Sequence, residues 1–296
     1  ATCLLESSFN AGLLLSAGIN AALGVYGWRW MFLVGVVPAL ATIYIRSKLK
    51  ESDAFQEVSN HREEARSTKL KVAKPVDSAV LKSPFAQLMA PDMKPRLIVV
   101  ASLCASAIVG FWACVSWLPA WTNQLTGTVA VAERSFVTTL FSVGGLIGCF
   151  LTPLVLDGIG RANTLKISFL GALVVALTMF LSVKTYGTPL LAWAFALGIF
   201  TNMQFTALQI YIPEVFPTSM LATAAGICFG AGRIFSAALA LCGAQLIGMY
   251  GGAYGMASAT LSTVYVVGVI GAFFVLETQG SVAGTKNLKG LVPAEA

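Results

Sequence analysis

Eight apolar runs of membrane-spanning length, set apart by charge, Pro and Gly, constrain this chain more than any single residue does. They fall at about 3–24, 28–46, 96–121, 134–156, 163–183, 189–211, 219–246 and 251–276. Within hydrocarbon every backbone N–H and C=O must be satisfied by the protein itself, which leaves only helices or a closed barrel. The ten-residue alternating segments of a barrel strand are absent, so the expected fold class is all-α, a polytopic helical membrane protein. The alternative is a soluble protein with an oversized core. With 57% hydrophobic and 11% charged residues and a mean hydropathy of +0.79 over 296 residues, composition argues against it.

Charge is concentrated in one place. The stretch from Arg46 to Arg96 holds eleven of the nineteen Lys and Arg and seven of the thirteen Asp and Glu. The positive-inside rule makes it a cytoplasmic linker. Arg161, Lys166, Lys286 and Lys289 then fall on the same side, and Arg29, Arg134 and Lys184 on the other, so both ends of the chain are expected to be cytoplasmic in a cell-membrane protein. The net charge of +6 follows from this topology and from contact with anionic membrane lipid. No basic cluster interleaved with aromatics points to nucleic acid.

Within this apolar background Arg233 stands out. It lies in the middle of Met220 to Gly248, which carries no other charge. About 15 residues separate it from the turn Ile212 to Thr218, which places it roughly 20 Å along a helix, near mid-bilayer. A cation at that depth faces a bundle interior or an aqueous cavity and is paired or binds something. A guanidinium fork matches a carboxylate bidentately, so the expected partner is a small-molecule organic anion. The structural alternative is an ion pair with another helix. Trp112 and Asn202 fall at comparable depth and are candidates for an apolar wall and an orienting hydrogen bond, although either residue type also serves helix packing. Glu6 is the one acid of the first span and the candidate proton-coupling residue, because a desolvated carboxyl can exchange a proton near neutral pH. Its position near the helix end also allows snorkelling to water.

Two spans before the linker and six after it are lopsided. Two six-helix halves joined by such a linker would need four more spans upstream, so the chain is expected to begin inside the fifth of twelve helices. A native eight-span protein is the alternative. On the first view, 1–46 supplies the last two helices of an N-terminal bundle and 47–93 the cytoplasmic linker. Residues 94–279 form a C-terminal six-helix bundle, followed by a cytoplasmic tail, 280–296.

Several motifs carry a resemblance. GWRWMFLVGVVPAL, Gly27 to Leu40, precedes KESDAFQE, Lys50 to Glu57; Leu156-Asp-Gly-Ile-Gly-Arg161 has the pattern D-x-x-G-R; Pro213-Glu-Val-Phe-Pro-Thr218 has P-E-x-x-P-T; and Glu277-Thr-Gln-Gly280 is similar to E-T-[KR]-G. In this order they resemble the major facilitator superfamily, in particular its carboxylate and sialate proton-symporter branch. The resemblance implies the major facilitator fold, with helices 5 to 12 present, and alternating access controlled by a cytoplasmic network of Asp157, Arg161 and Glu214. Helix-end capping is the simpler reading of those three residues. It also sets Arg233 at the place where organic anion transporters of the superfamily carry an Arg. The chain differs from the pattern at Pro153, Ala162 and Leu221, which removes two cations from the implied relay.

The six cysteines all lie within spans at no metal-ligand spacing and read as packing residues. No phosphate-cradling, zinc-hydrolase or nucleophile-elbow motif occurs, and the single His, His61, is in the linker. The chain is therefore not expected to be an enzyme, and neither a cofactor nor a metal is expected. The sequence reading is a monomeric secondary transporter that symports a small organic acid with protons. The alternatives are a porter of sugar or another metabolite, or a non-transporting membrane adaptor. The sugar reading is disfavoured because Lys50-Glu-Ser-Asp-Ala54 lacks P-E-S-P-R and a neutral sugar gives Arg233 no partner.

Overall fold

The computed structural model describes residues 2–27, 29–30, 32–36, 42, 44, 83–127 and 130–278. About half of the expected second span, most of the 47–93 linker with His61, and the tail from 280 onward lie outside these residues.

Apolar runs become helices. They are α1 (Thr2–Leu23), the short α2 (Pro84–Leu88), α3 (Lys94–Val115), α4 (Leu118–Thr126), α5 (Val131–Ile159), α6 (Arg161–Ser182), α7 (Thr188–Val215), α8 (Leu221–Met249), α9 (Tyr254–Ser262) and α10 (Tyr265–Ala272). Counting α3 with α4 and α9 with α10, six helices among the described residues are long and apolar enough to cross a membrane. α1 has the length, but Glu6, Asn10 and Asn20 dilute its apolar character. Helices run past the expected spans at several ends: α5 takes in Glu133 and Asp157, and α7 takes in Pro213 and Glu214. Hydrogen bonding sustains a helix beyond the hydrocarbon edge, where the apolar run has already stopped.

Two spans are broken. Pro119 has no N–H to offer Val115 and its ring crowds that carbonyl, so α3 stops at Val115 and α4 begins afresh at Leu118. Between α9 and α10 the chain tightens into i to i−3 bonds, Thr263 N to Thr260 O and Val266 N to Thr263 O, and the Ser106 hydroxyl donates to the Val264 carbonyl at 2.8 Å.

α5 and α7 meet at the centre, backbone to backbone. A Cβ on Gly144 would stand 2.1 Å from the Phe195 carbonyl oxygen, and one on Gly198 2.1 Å from that of Phe141. Glycine is required for this approach, as the Gly144 and Gly148 spacing suggests. A Cβ on Gly226 or Gly230, which have the same spacing, would meet nothing within 4 Å from another part of the described residues. α1 lies against α5 and α7, α3 against α8 and α10, and α6 against α7 and α10. Among the described residues, α8 is the most weakly covered span, with Ile234, Phe235 and Leu241 exposed.

Candidate functional site

The D-x-x-G-R and P-E-x-x-P-T motifs and Glu277 and Thr278, which open E-T-x-G, come to one end of the bundle, called here the Arg161 face. Gly160, at φ 86°, turns the chain between α5 and α6. The Arg161 guanidinium then reaches the Glu214 carboxylate at the end of α7, with Nη2 2.9 Å from Oε1 and Nε 3.1 Å from Oε2. Glu214 also accepts from the Thr278 hydroxyl. Glu277 caps α6 by accepting from the backbone N–H of Arg161 at 2.6 Å and of Ala162 at 3.1 Å. Its negative charge suits that helix N-terminus. Asp157 stands at the margin: its side chain is 80% exposed and comes no closer than 3.8 Å to Arg161. The three expected gating residues are thus neighbours, but Glu214 holds Arg161 and Asp157 contributes little.

The second constellation lies deeper. Helical spacing puts Asn202, Phe205 and Gln209 on one face of α7, Ile108, Phe111 and Trp112 on one face of α3, and Phe229 and Arg233 on one face of α8. With Glu6 and Phe9 of α1 they enclose a cavity of about 290 Å³. Arg233, Trp112, Asn202 and Glu6, chosen by depth and charge, therefore share one wall-to-wall space. At roughly 30 Å³ per water the space equals about ten waters, or a small solute.

The groups in this cavity differ in how far they are already engaged. Gln209 donates to the Glu6 carboxylate. Asn202 accepts from the Asn10 amide at 2.8 Å and donates to the Gly198 carbonyl at 2.9 Å, so both ends of its own amide are used inside the protein. A side chain at Gly145 would fall on this pair, with a Cβ 2.3 Å from Asn10 Oδ1 and 2.6 Å from Asn202 Nδ2. Asn202 thus locks α1 to α7 and forms wall rather than a free donor. Arg233 is exposed to the open volume, and no carboxylate among the described residues pairs with it. Phe111 centres the aromatic wall, 5.8 Å from the Phe9 ring and 5.5 Å from that of Phe205.

Gln209, Asn10 and Glu277 were missed from the sequence. Signals for them existed: Gln209 is seven residues from Asn202, Asn10 four from Glu6, and Glu277 opens the E-T-x-G motif. Among the described residues no group of three or more His, Cys, Asp or Glu could hold a metal. Cys104, Cys114, Cys149 and Cys228 are buried as expected, whereas Cys242 is exposed.

Residues 1–241 match the profile of the Major Facilitator Superfamily. A probable 4-methylmuconolactone transporter of Cupriavidus pinatubonensis is 27% identical over 86% of this chain and 54% of its own length. The cis,cis-muconate transport protein of Acinetobacter baylyi is 23% identical, over 86% of this chain and 58% of its own. The sialic acid transporter NanX of Escherichia coli is 25% identical, over 85% and 57%. The chain spans about half the length of these relatives. With its bundle of apolar helices and this match, the chain is a multi-pass membrane protein of a transporter rather than an enzyme family, and it belongs to the Major Facilitator Superfamily.

Proposed function

We propose that the protein carrying this chain is a secondary active transporter that symports a small organic acid with protons by alternating access across the cell membrane. The observation that carries this reading is the cavity in which Arg233 faces open space without a carboxylate partner among the described residues. A cation at a helix centre is costly unless something compensates it, and a solute carboxylate would do so. The aromatic lining from Phe9, Phe111, Phe205 and Trp112 suits a flat, unsaturated body. Names of the relatives agree in kind: a muconolactone, a muconate and a sialic acid.

Glu6 lines the same cavity and is the group proposed to carry the coupled proton. A bound carboxylate and an ionised Glu6 would repel each other, so protonation of Glu6 and occupancy of Arg233 favour one another. The Arg161 and Glu214 pair is proposed to tie the Arg161 face in one state and release it in the other. In this reading that face, the linker and both chain ends are cytoplasmic, and 1–46 and 94–279 belong to two bundles.

The test is Arg233→Lys and Arg233→Ala in the protein carrying this chain, reconstituted in vesicles, with labelled cis,cis-muconate as probe. Lys keeps the charge but loses the fork, so uptake should fall in folded protein. Ala should remove on the order of 3 kcal/mol of anion recognition, above a hundredfold in affinity. Competition by the acid and by its uncharged amide should differ strongly in the parent and converge in the Ala variant. Unchanged apparent affinity in a well-folded Ala variant would make Arg233 a structural residue and sink the organic-acid reading.

A further inference from the structure

Arg233 and Trp112 each face two cavities. The second, of about 340 Å³, extends along α8 from Arg233 through Ser236 and Ala237 to Ala240, and from Trp112 on α3 to Ser116 and Trp117 in the break between α3 and α4. Both helices start at the Arg161 face, so this space lies farther from that face than the first. The two cavities are stacked in depth, with Arg233 and Trp112 between them. Their chemistry differs. The inner one contains Glu6, Gln209 and a wall of phenylalanines, whereas the outer one contains two hydroxyls, a second indole, alanines and two leucines, with no carboxyl group.

We propose that the outer cavity is a second station for the same solute, in which Arg233 holds the carboxylate while Ser116, Ser236 and the Trp117 indole select the rest of the molecule before it passes Trp112. This rests on the organic-acid reading above. The physical reason for transfer at a shared anchor is that the guanidinium can swing its fork between two spaces without the carboxylate ever losing its counter-charge in a low-dielectric surround. An anion in the outer station meets no opposing carboxylate, so recognition there is independent of the proton on Glu6. Hydroxyl-bearing acids gain hydrogen bonds from Ser116 and Ser236 that the phenylalanine wall of the inner cavity does not offer.

The test separates entering from holding. Ala237 lines only the outer cavity, and Ala237→Trp fills it. In vesicles the variant should lose tenfold or more of kcat/KM for cis,cis-muconate uptake from the outer side, while equilibrium binding of the same probe to purified protein changes less than threefold. Ser236→Ala, which preserves volume, should narrow the preference for 4-hydroxybenzoate over benzoate in uptake and leave their ratio in equilibrium binding unchanged. Unchanged uptake in Ala237→Trp would overturn the outer station. Equal losses of binding and uptake in a folded variant would also overturn it, because the two cavities would then act as one site. If Arg233→Ala leaves muconate binding intact, the organic-acid reading itself has failed, whatever Ala237→Trp does.

Discussion

Replacing Glu214 by Gln removes one charge from the Arg161 face with almost no change of shape. In the structure the carboxylate takes three charge-assisted bonds, at 2.9, 3.1 and 3.3 Å, from a guanidinium whose side chain is 12% exposed, and its own side chain is 7% exposed. Removing one partner of a buried pair costs about 3–5 kcal/mol when a bare charge remains. Here Gln keeps an acceptor, and Leu156 O stays within 3.3 Å of Arg161 Nη1, so about 2 kcal/mol is a reasonable expectation. If the bond exists in one transport state only, that energy appears as a shift of about thirtyfold towards the state lacking it. The measurement is the rate at which an impermeant thiol reagent, added from the Arg161 side, modifies Phe205→Cys in the inner cavity. That rate should rise more than tenfold in Glu214→Gln, with solute binding within threefold of the parent. Arg161→Gln should produce the same phenotype, and the double variant should be no worse than either alone. A Glu214→Gln protein with unaltered labelling but a lowered thermal midpoint would show that the pair is a static brace, and the switching argument would be refuted.

Two further expectations concern stability. Gly198→Ala puts a methyl 2.1 Å from the Phe141 carbonyl oxygen, where only backbone could yield, so it should cost more than about 2 kcal/mol and sharply lower the yield of monodisperse protein; normal yield would mean that α5 and α7 can separate freely. Glu277→Gln retains an acceptor at the α6 N-terminus but loses its charge, and the thermal midpoint should drop by the equivalent of about 1 kcal/mol, a loss that added salt reduces; an unchanged midpoint would mean that the cap is idle.

Arg233 could be found in the sequence because its cost is one-dimensional: a charge within an apolar run is conspicuous without any coordinates. Trp112 and Asn202 followed from depth alone, since helices crossing the same slab meet at equal heights. Depth does not fix azimuth, which is why Gln209, two turns along from Asn202, was overlooked and why the Asn10 amide was not foreseen as the partner of Asn202. The motif residues of the Arg161 face stand beside one another in the structure. Which carboxylate holds the guanidinium was not legible, because Asp157, four residues from Arg161 and the nearer in sequence, points to solvent while Glu214, 53 residues away, is buried. The helix break before Pro119 had a visible cause. That between α9 and α10 did not, since it depends on Ser106 from another span.

Among the described residues, side-chain hydrogen bonds tie α1 to its neighbours at three of its positions: Glu6 to Gln209, Asn10 to Asn202 and Cys149, and, at 2.7 Å, Asn20 to Ser135. Only the middle one is wholly buried, with Asn10 against Gly145. This makes Asn10 an axle with unequal arms, about 6 Å to Glu6 and about 15 Å to Asn20 at 1.5 Å per residue. A tilt of about 10° around it moves the Glu6 end by about 1 Å and the Asn20 end by more than twice as much. Such a tilt would keep the carboxyl beside its cavity and stretch the bond from Asn20 to Ser135. Small rotations of α1 are therefore geared: fine adjustment at the end that carries the acid, and a wide stroke at the opposite end.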